Sequence, residues 1–139
     1  MKNIVIIDGQ GGGIGRQLVA RLREALPAAA ITAVGANCSA TNAMLKAGAS
    51  SGATGENAVV VACRRADVIA GPVGIVIADS LGGEVTPAMA VAVAQSPARR
   101  VLLPFNHCDN LIVGVADYNV ARLVQCAVEE IVRIFSEEP

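Results

Sequence analysis

The chain alternates short unbroken apolar runs with stretches in which apolar residues recur every three or four positions, and glycine-rich or small-residue breaks divide them. In Asn3–Asp8, Ile4, Val5, Ile6 and Ile7 run together and close on Asp8. A glycine loop over 9–15 follows, and 16–26 carries Leu18, Val19, Leu22 and Leu26 at helical spacing, so the opening predicts strand, loop, helix. Ala30–Gly35 is a second strand, after which Ser39 caps a short helix over 40–46 that Gly48 stops. The small residues of 47–55 read as a connection, Glu56–Arg65 as a helix and 67–70 as a third short strand ending at Gly71-Pro72.

In 73–79, Ile75, Val76 and Ile77 favour strand, whereas a proline at the first helical position and the Gly82-Gly83 stop favour helix; the expectation here is helix. A helix from Thr86-Pro87 to Gln95 is apolar nearly all round, as expected of one covered by neighbours or by a second subunit. The remaining strands are predicted over 99–105 and 112–115, and 119–135 is an amphipathic helix with Leu123, Ile131 and Ile134 turned inward; 136–139 is expected to fray. No internal repeat is present. Strands alternating with helices predict an α/β fold, a three-layer, doubly wound, Rossmann-like and mostly parallel sheet of about five strands. With 139 residues, one core is enough, and 1–139 is read as a single domain.

Composition narrows the function classes. A mean hydropathy of +0.53 raises the question of a membrane span, yet no apolar run approaches the roughly 18 residues one requires. The run Ile4 to Ile7 is also too short for a secretory signal, so the expected location is the cytoplasm, with no membrane partner. Eleven basic residues balance 12 acidic ones, and Arg64-Arg65 and Arg99-Arg100 are too small as clusters to track a nucleic acid. With Phe105, Tyr118 and Phe135 as the only aromatic rings of their kind, stacking platforms for single strands are absent too. Cys38, Cys63, Cys108 and Cys126 form no CxxC pair and have a single histidine for company, so no metal site is expected. Cys38, Cys63 and Cys126 sit among apolar residues and read as small core fillers.

The segment Asp8-Gly9-Gln10-Gly11-Gly12-Gly13-Ile14-Gly15-Arg16 carries the most chemistry, because it lies where a first strand hands over to a first helix. Glycines there permit a tight turn, let a phosphate approach backbone N–H groups and let the helix pack closely on the strand. Gly9, Gly11, Gly12, Gly13, Ile14 and Gly15 are therefore candidate cofactor-binding residues; the alternative is that the glycines serve only helix-strand packing. The strict GxGxxG spacing is absent. Gly9, Gly13, Ile14 and Gly15 instead spell G-x-x-x-G-I-G, which resembles the cofactor loop of short-chain dehydrogenases over about a dozen residues. That resemblance implies a nicotinamide nucleotide with its pyrophosphate at the helix N-terminus. Tyr118 and Arg122 have Y-x-x-x-R spacing where that family has lysine, and the chain is too short for its usual core. The second strand is followed by Asn37 where a ribose 2′-hydroxyl usually finds an acid, so Asn37 is placed near the ribose and an NADP-like or mononucleotide ligand is favoured over NAD.

Gly52-Ala53-Thr54-Gly55-Glu56-Asn57 also precedes a helix, and Thr54 and Gly55 are candidates for a second phosphate, or for a simple capped connection. With Gly71-Pro72-Val73-Gly74 it faintly resembles the phosphate loops of the methylglyoxal-synthase-like fold, which implies phosphate elimination aided by a carboxylate. Asp79, Ser80 and Glu84, together with Asn106-His107-Cys108-Asp109, are expected at the carboxyl edge of the sheet, where open α/β folds bind ligands. Asp79, Asn106, His107 and Cys108 are the candidate catalytic residues: His107 as acid or base, Cys108 as a thiolate favoured by a neighbouring imidazolium.

Over most of its length the chain also resembles a family of small bacterial proteins grouped as a domain of unknown function. The shared segments are Ile7-Asp8-Gly9-Gln10-Gly11-Gly12-Gly13-Ile14-Gly15, Gly52-Ala53-Thr54-Gly55-Glu56-Asn57 and Ala66-Asp67-Val68-Ile69-Ala70-Gly71-Pro72. That family brings no established activity. Three functions stand side by side: a module binding a nucleotide or phosphorylated metabolite, with catalysis left open; a non-catalytic homo-oligomeric binding or regulatory subunit; and a phosphate-elimination enzyme of the methylglyoxal-synthase type.

Overall fold

The computed structural model describes residues 2–105, 110–115 and 119–137. Parallel strands β1 (Asn3–Asp8), β2 (Ala30–Gly35), β3 (Ser51–Thr54), β4 (Val68–Pro72) and β5 (Arg99–Leu103) form one sheet in the order β3-β2-β1-β4-β5. Helices α1 (Gly13–Ala25), α2 (Cys38–Lys46) and α5 (Val120–Glu137) cover one face, and α3 (Glu56–Arg65) and α4 (Pro87–Gln95) the other. The expected three-layer α/β architecture is present.

β1 shows why the sheet must be covered twice. Its side chains alternate: Ile4 and Ile6 pack with Leu18, Leu22, Met44 and Ile131, while Val5 and Ile7 pack with Val59, Ile75, Met89 and Val93. The chain leaves β1 toward β2 and β3, then returns across to β4 and β5, so the strand order reverses between β1 and β4. At such a reversal the loops at the carboxyl ends of the two strands diverge and leave a crevice.

Several local expectations give way. Ser51–Thr54 was expected within a connection, yet it is an edge strand paired with Thr32 to Gly35; all four residues are exposed, so no apolar pattern marks it. The apolar 112–115 forms no strand: a turn falls at Val113-Gly114, where Gly114 has φ 86°. In 73–79 the helix reduces to one 3₁₀ turn, Val73–Val76, followed by extended backbone at Ile77 and a left-handed Asp79. The cap of α2 is Asn37, not Ser39, its Oδ1 accepting from the Ala40 amide at 2.9 Å. Of the three cysteines read as core fillers only Cys63 is buried, and burial pushes its thiol up to about 11. Cys38 and Cys126 lie exposed, in the first turn of α2 and along α5. Among the described residues no group of histidine, cysteine and carboxylate side chains is arranged to hold a metal, and no helix is long and apolar enough to cross a membrane.

Candidate functional site

A cavity of about 170 Å³ opens at the β1/β4 reversal, lined by Asp8, Gly9, Gln10, Gly11, Gly13, Ile14, Pro72, Leu81 and Phe105. Larger grooves lie between α1 and α2 and between α3 and α4. The small cavity is the one that the topology builds.

The glycine loop is tight because its residues are held from several sides. Gly12 adopts φ 72° as the N-cap of α1, and a Cβ there would stand 2.9 Å from the Ala40 backbone. A Cβ on Gly15 would meet Met44 Sδ at 2.5 Å, and one on Gly9 would meet Glu84 Oε1 and Leu81 Cδ1 at 3.1 Å. These three glycines have intramolecular reasons to be glycine. Gly11 and Gly13 have none: neither carries positive φ, and no atom lies within 4 Å of a Cβ built on either. Their amides make no hydrogen bond among the described residues.

Two carboxylates hold the rest of the loop. Asp8, 5% exposed, accepts the Gly9 amide on Oδ1 at 2.8 Å and the Gly15 amide on Oδ2 at 2.7 Å. Burial pushes its carboxyl above the usual carboxylate range; the Gly15 and Gly9 amides oppose the shift, and the Glu84 charge reinforces it. Glu84 accepts the Gln10 amide on Oε1 at 2.6 Å and the Asn37 side-chain amide on Oε2 at 2.5 Å. Glu84 is held in place by its own loop, in which Asp79 N donates to Val85 O, Glu84 N to Leu81 O, and Leu81 is buried against the glycine turn.

Asn37 does stand beside the glycine loop, but its side chain is already committed. Besides capping α2 it donates to Gln10 O at 2.9 Å and to Glu84. The acid that the end of β2 lacks in sequence therefore arrives from the β4–α4 connection. Thr54 and Gly55 lie at the end of β3; the Thr54 hydroxyl pairs with that of Thr41 at 2.7 Å, and the Gly55 amide donates to Gly35 O. Because β2 and β1 separate β3 from β4, Thr54 and Pro72 are about three strand spacings, or ~14 Å, apart. Asp79 is exposed and outside the cavity lining. Asn106, His107 and Cys108, like Tyr118, lie outside the described residues; the last described residue before them, Phe105, lines the cavity.

Sequence reading placed Glu84 at this edge without its partners and passed over Asp8. Asp8 had a visible signal, a carboxylate closing an apolar strand directly before a glycine run, whereas the Gln10–Glu84 contact spans 74 residues and leaves no local trace.

No curated protein sequence matches the chain. Among solved structures, a dodecameric FMN-dependent Ubix-like decarboxylase from Escherichia coli O157:H7 superposes with a TM-score of 0.49 at 17% identity, covering 100% of this chain and 96% of that one. A family model described as a domain of unknown function, DUF3842, matches residues 3–136. The match takes in the sheet and the glycine loop, and the chain belongs to the DUF3842 family.

Proposed function

We propose that the protein binds a nucleotide or phosphorylated metabolite in the β1/β4 crevice, with phosphate on the amides of Gly11 and Gly13. The observation that carries this reading is the division among the loop's glycines. Gly12 is required by its left-handed backbone against Ala40, Gly15 by its packing on Met44, and Gly9 sits tight against Glu84 and Leu81, whereas Gly11 and Gly13 leave open space and unpartnered donors at the wall of the cavity. The Gly13 amide opens α1 without an acceptor, a favourable place for an anion, and the Gly11 amide lies just before the Gly12 cap. Asp8 and Glu84 occupy the flanking donors and confine the phosphate to the stretch between them. Asn106, His107 and Cys108 follow the cavity residue Phe105 in sequence, and we assign proton transfer or substrate orientation to them where turnover occurs.

Native mass spectrometry of gently purified protein, followed by titration of any released phosphate compound, tests this function. Wild type is expected to retain or bind a nucleotide or phosphorylated metabolite, and Gly13→Val to bind none while melting like wild type, since its Cβ enters open space. Failure of both proteins to bind any phosphorylated compound overturns it. A second reading, self-association, is favoured by Leu111 and Val113, 89% and 97% exposed, and by the half-exposed Val91 of α4. Analytical ultracentrifugation decides it, and a monomer at all concentrations counts against it.

A further inference from the structure

Among the described residues that line the crevice cavity, only Asp8 is ionisable. It closes β1, is 5% exposed, and accepts the Gly9 and Gly15 amides from the same loop whose Gly11 and Gly13 amides stay open. A carboxylate offers about four acceptor positions, of which the Gly9 and Gly15 amides and, more weakly, the Ile14 amide fill three at most. Room for one further partner remains. Among the described residues no cation compensates the group. The β4–α4 connection brings Glu84, a second negative charge, while Gly35 at the end of β2 and Gly71-Pro72 at the end of β4 are uncharged. Arg16, one residue beyond Gly15, lines the groove between α1 and α2 instead. A phosphate on the Gly11 and Gly13 amides thus brings negative charge to a wall that already carries it, and two acidic groups so placed hold a proton between them.

We propose that Asp8 and the bound phosphate share one proton, so that Asp8 is the specificity-determining residue that selects a terminal phosphomonoester over a phosphodiester, a bridging diphosphate or sulfate. The inference rests on the phosphate reading above and narrows its ligand. A phosphomonoester, with its second ionisation near pH 6, brings the proton at little cost at neutral pH and donates it to Asp8 in a short, charge-assisted hydrogen bond. A diester, a bridging diphosphate or sulfate has no proton left to bring, and it meets Asp8 as bare like charge unless Asp8 itself takes one up. The crevice therefore suits the end phosphate of a mononucleotide or of a small phosphorylated metabolite, and disfavours the diphosphate of a dinucleotide.

The test titrates wild-type protein with methyl phosphate, dimethyl phosphate and sulfate from about pH 6 to 8, read by the Gly11 and Gly13 amide NMR shifts. At neutral pH methyl phosphate is expected to bind at least about tenfold more tightly than either of the others. Its affinity is expected to fall by close to about tenfold per pH unit above its second ionisation, because binding there takes up a proton. In Asp8→Asn, whose side chain is neutral and has no proton to share, the preference over sulfate is expected to fall toward one and the slope to disappear. The wild-type comparison needs no variant and stands even where Asp8→Asn is unstable. Equal binding of the three anions, a methyl phosphate affinity that stays level across the range, or a preference or slope that survives in a folded Asp8→Asn overturns the proposal and leaves the phosphate reading standing. If no phosphate compound moves either amide, the phosphate reading itself falls, and this inference with it.

Discussion

At the amino edge of the sheet the Arg23 guanidinium donates five hydrogen bonds, to the carbonyls of Gly48, Pro27 and Ala29 and to the Ser50 hydroxyl. Asp67 accepts the Asn3 amide at 2.6 Å beside it in the sheet. At the carboxyl edge Asp8 and Glu84 likewise accept loop amides, but Gly11 and Gly13 between them are left with open donors over a cavity. The same device, a charged side chain satisfying backbone groups at strand ends, completes one edge and stops short at the other. The difference separates residues that hold the fold from residues available to a ligand.

The largest effect expected from this contrast is at Gly15. Gly15→Val forces a side chain into Met44 and Asp8, and is expected to destabilise by at least about 3 kcal/mol or to prevent folding, as seen in urea denaturation. Gly13→Val, two residues away, is expected to leave the urea midpoint within error of wild type. At the opposite edge, Arg23→Met leaves the carbonyls of Gly48, Pro27 and Ala29 without their guanidinium donor and is expected to cost about 2–3 kcal/mol with no effect on ligand binding. Asn37→Ala removes the α2 cap and is expected to cost about 1 kcal/mol. In that variant Glu84 also loses a partner beside the glycine loop.

The smallest effect concerns pH. Burial raises the Asp8 carboxyl, so the folded chain keeps its proton where the unfolded chain has released it. Its contribution to stability is full below about pH 4 and is lost as pH rises through the folded value. Relative to Asp8→Asn, wild type is therefore expected to lose stability as pH rises above about 4, and urea midpoints through that rise would show a constant difference if Asp8 titrates normally.

The strands and helices with strong apolar patterns were legible because burial on both faces leaves a period in the sequence. β1, with Ile4 and Ile6 on one side and Val5 and Ile7 on the other, and α5, with Leu123, Ile131 and Ile134 inward, are where expected. β3 was not legible, since it is held by backbone pairing to β2 and by the Thr41–Thr54 hydroxyl contact, neither of which needs apolar residues. Conversely, Ile112, Val113 and Val115 have strand propensity without a strand to join. The glycine loop announced itself as a whole, but which glycines are structural depends on Ala40, Met44, Leu81 and Glu84, all distant in sequence.

The most direct measurement is an amide NMR titration that follows Gly11 and Gly13 against Gly48 at the opposite edge as a ribonucleoside monophosphate is added. Large shifts at Gly11 and Gly13 that saturate together, with Gly48 unmoved, are expected. Shifts confined to the groove around Arg16 and Lys46, or none at Gly11 and Gly13 while the nucleotide binds elsewhere, would contradict it.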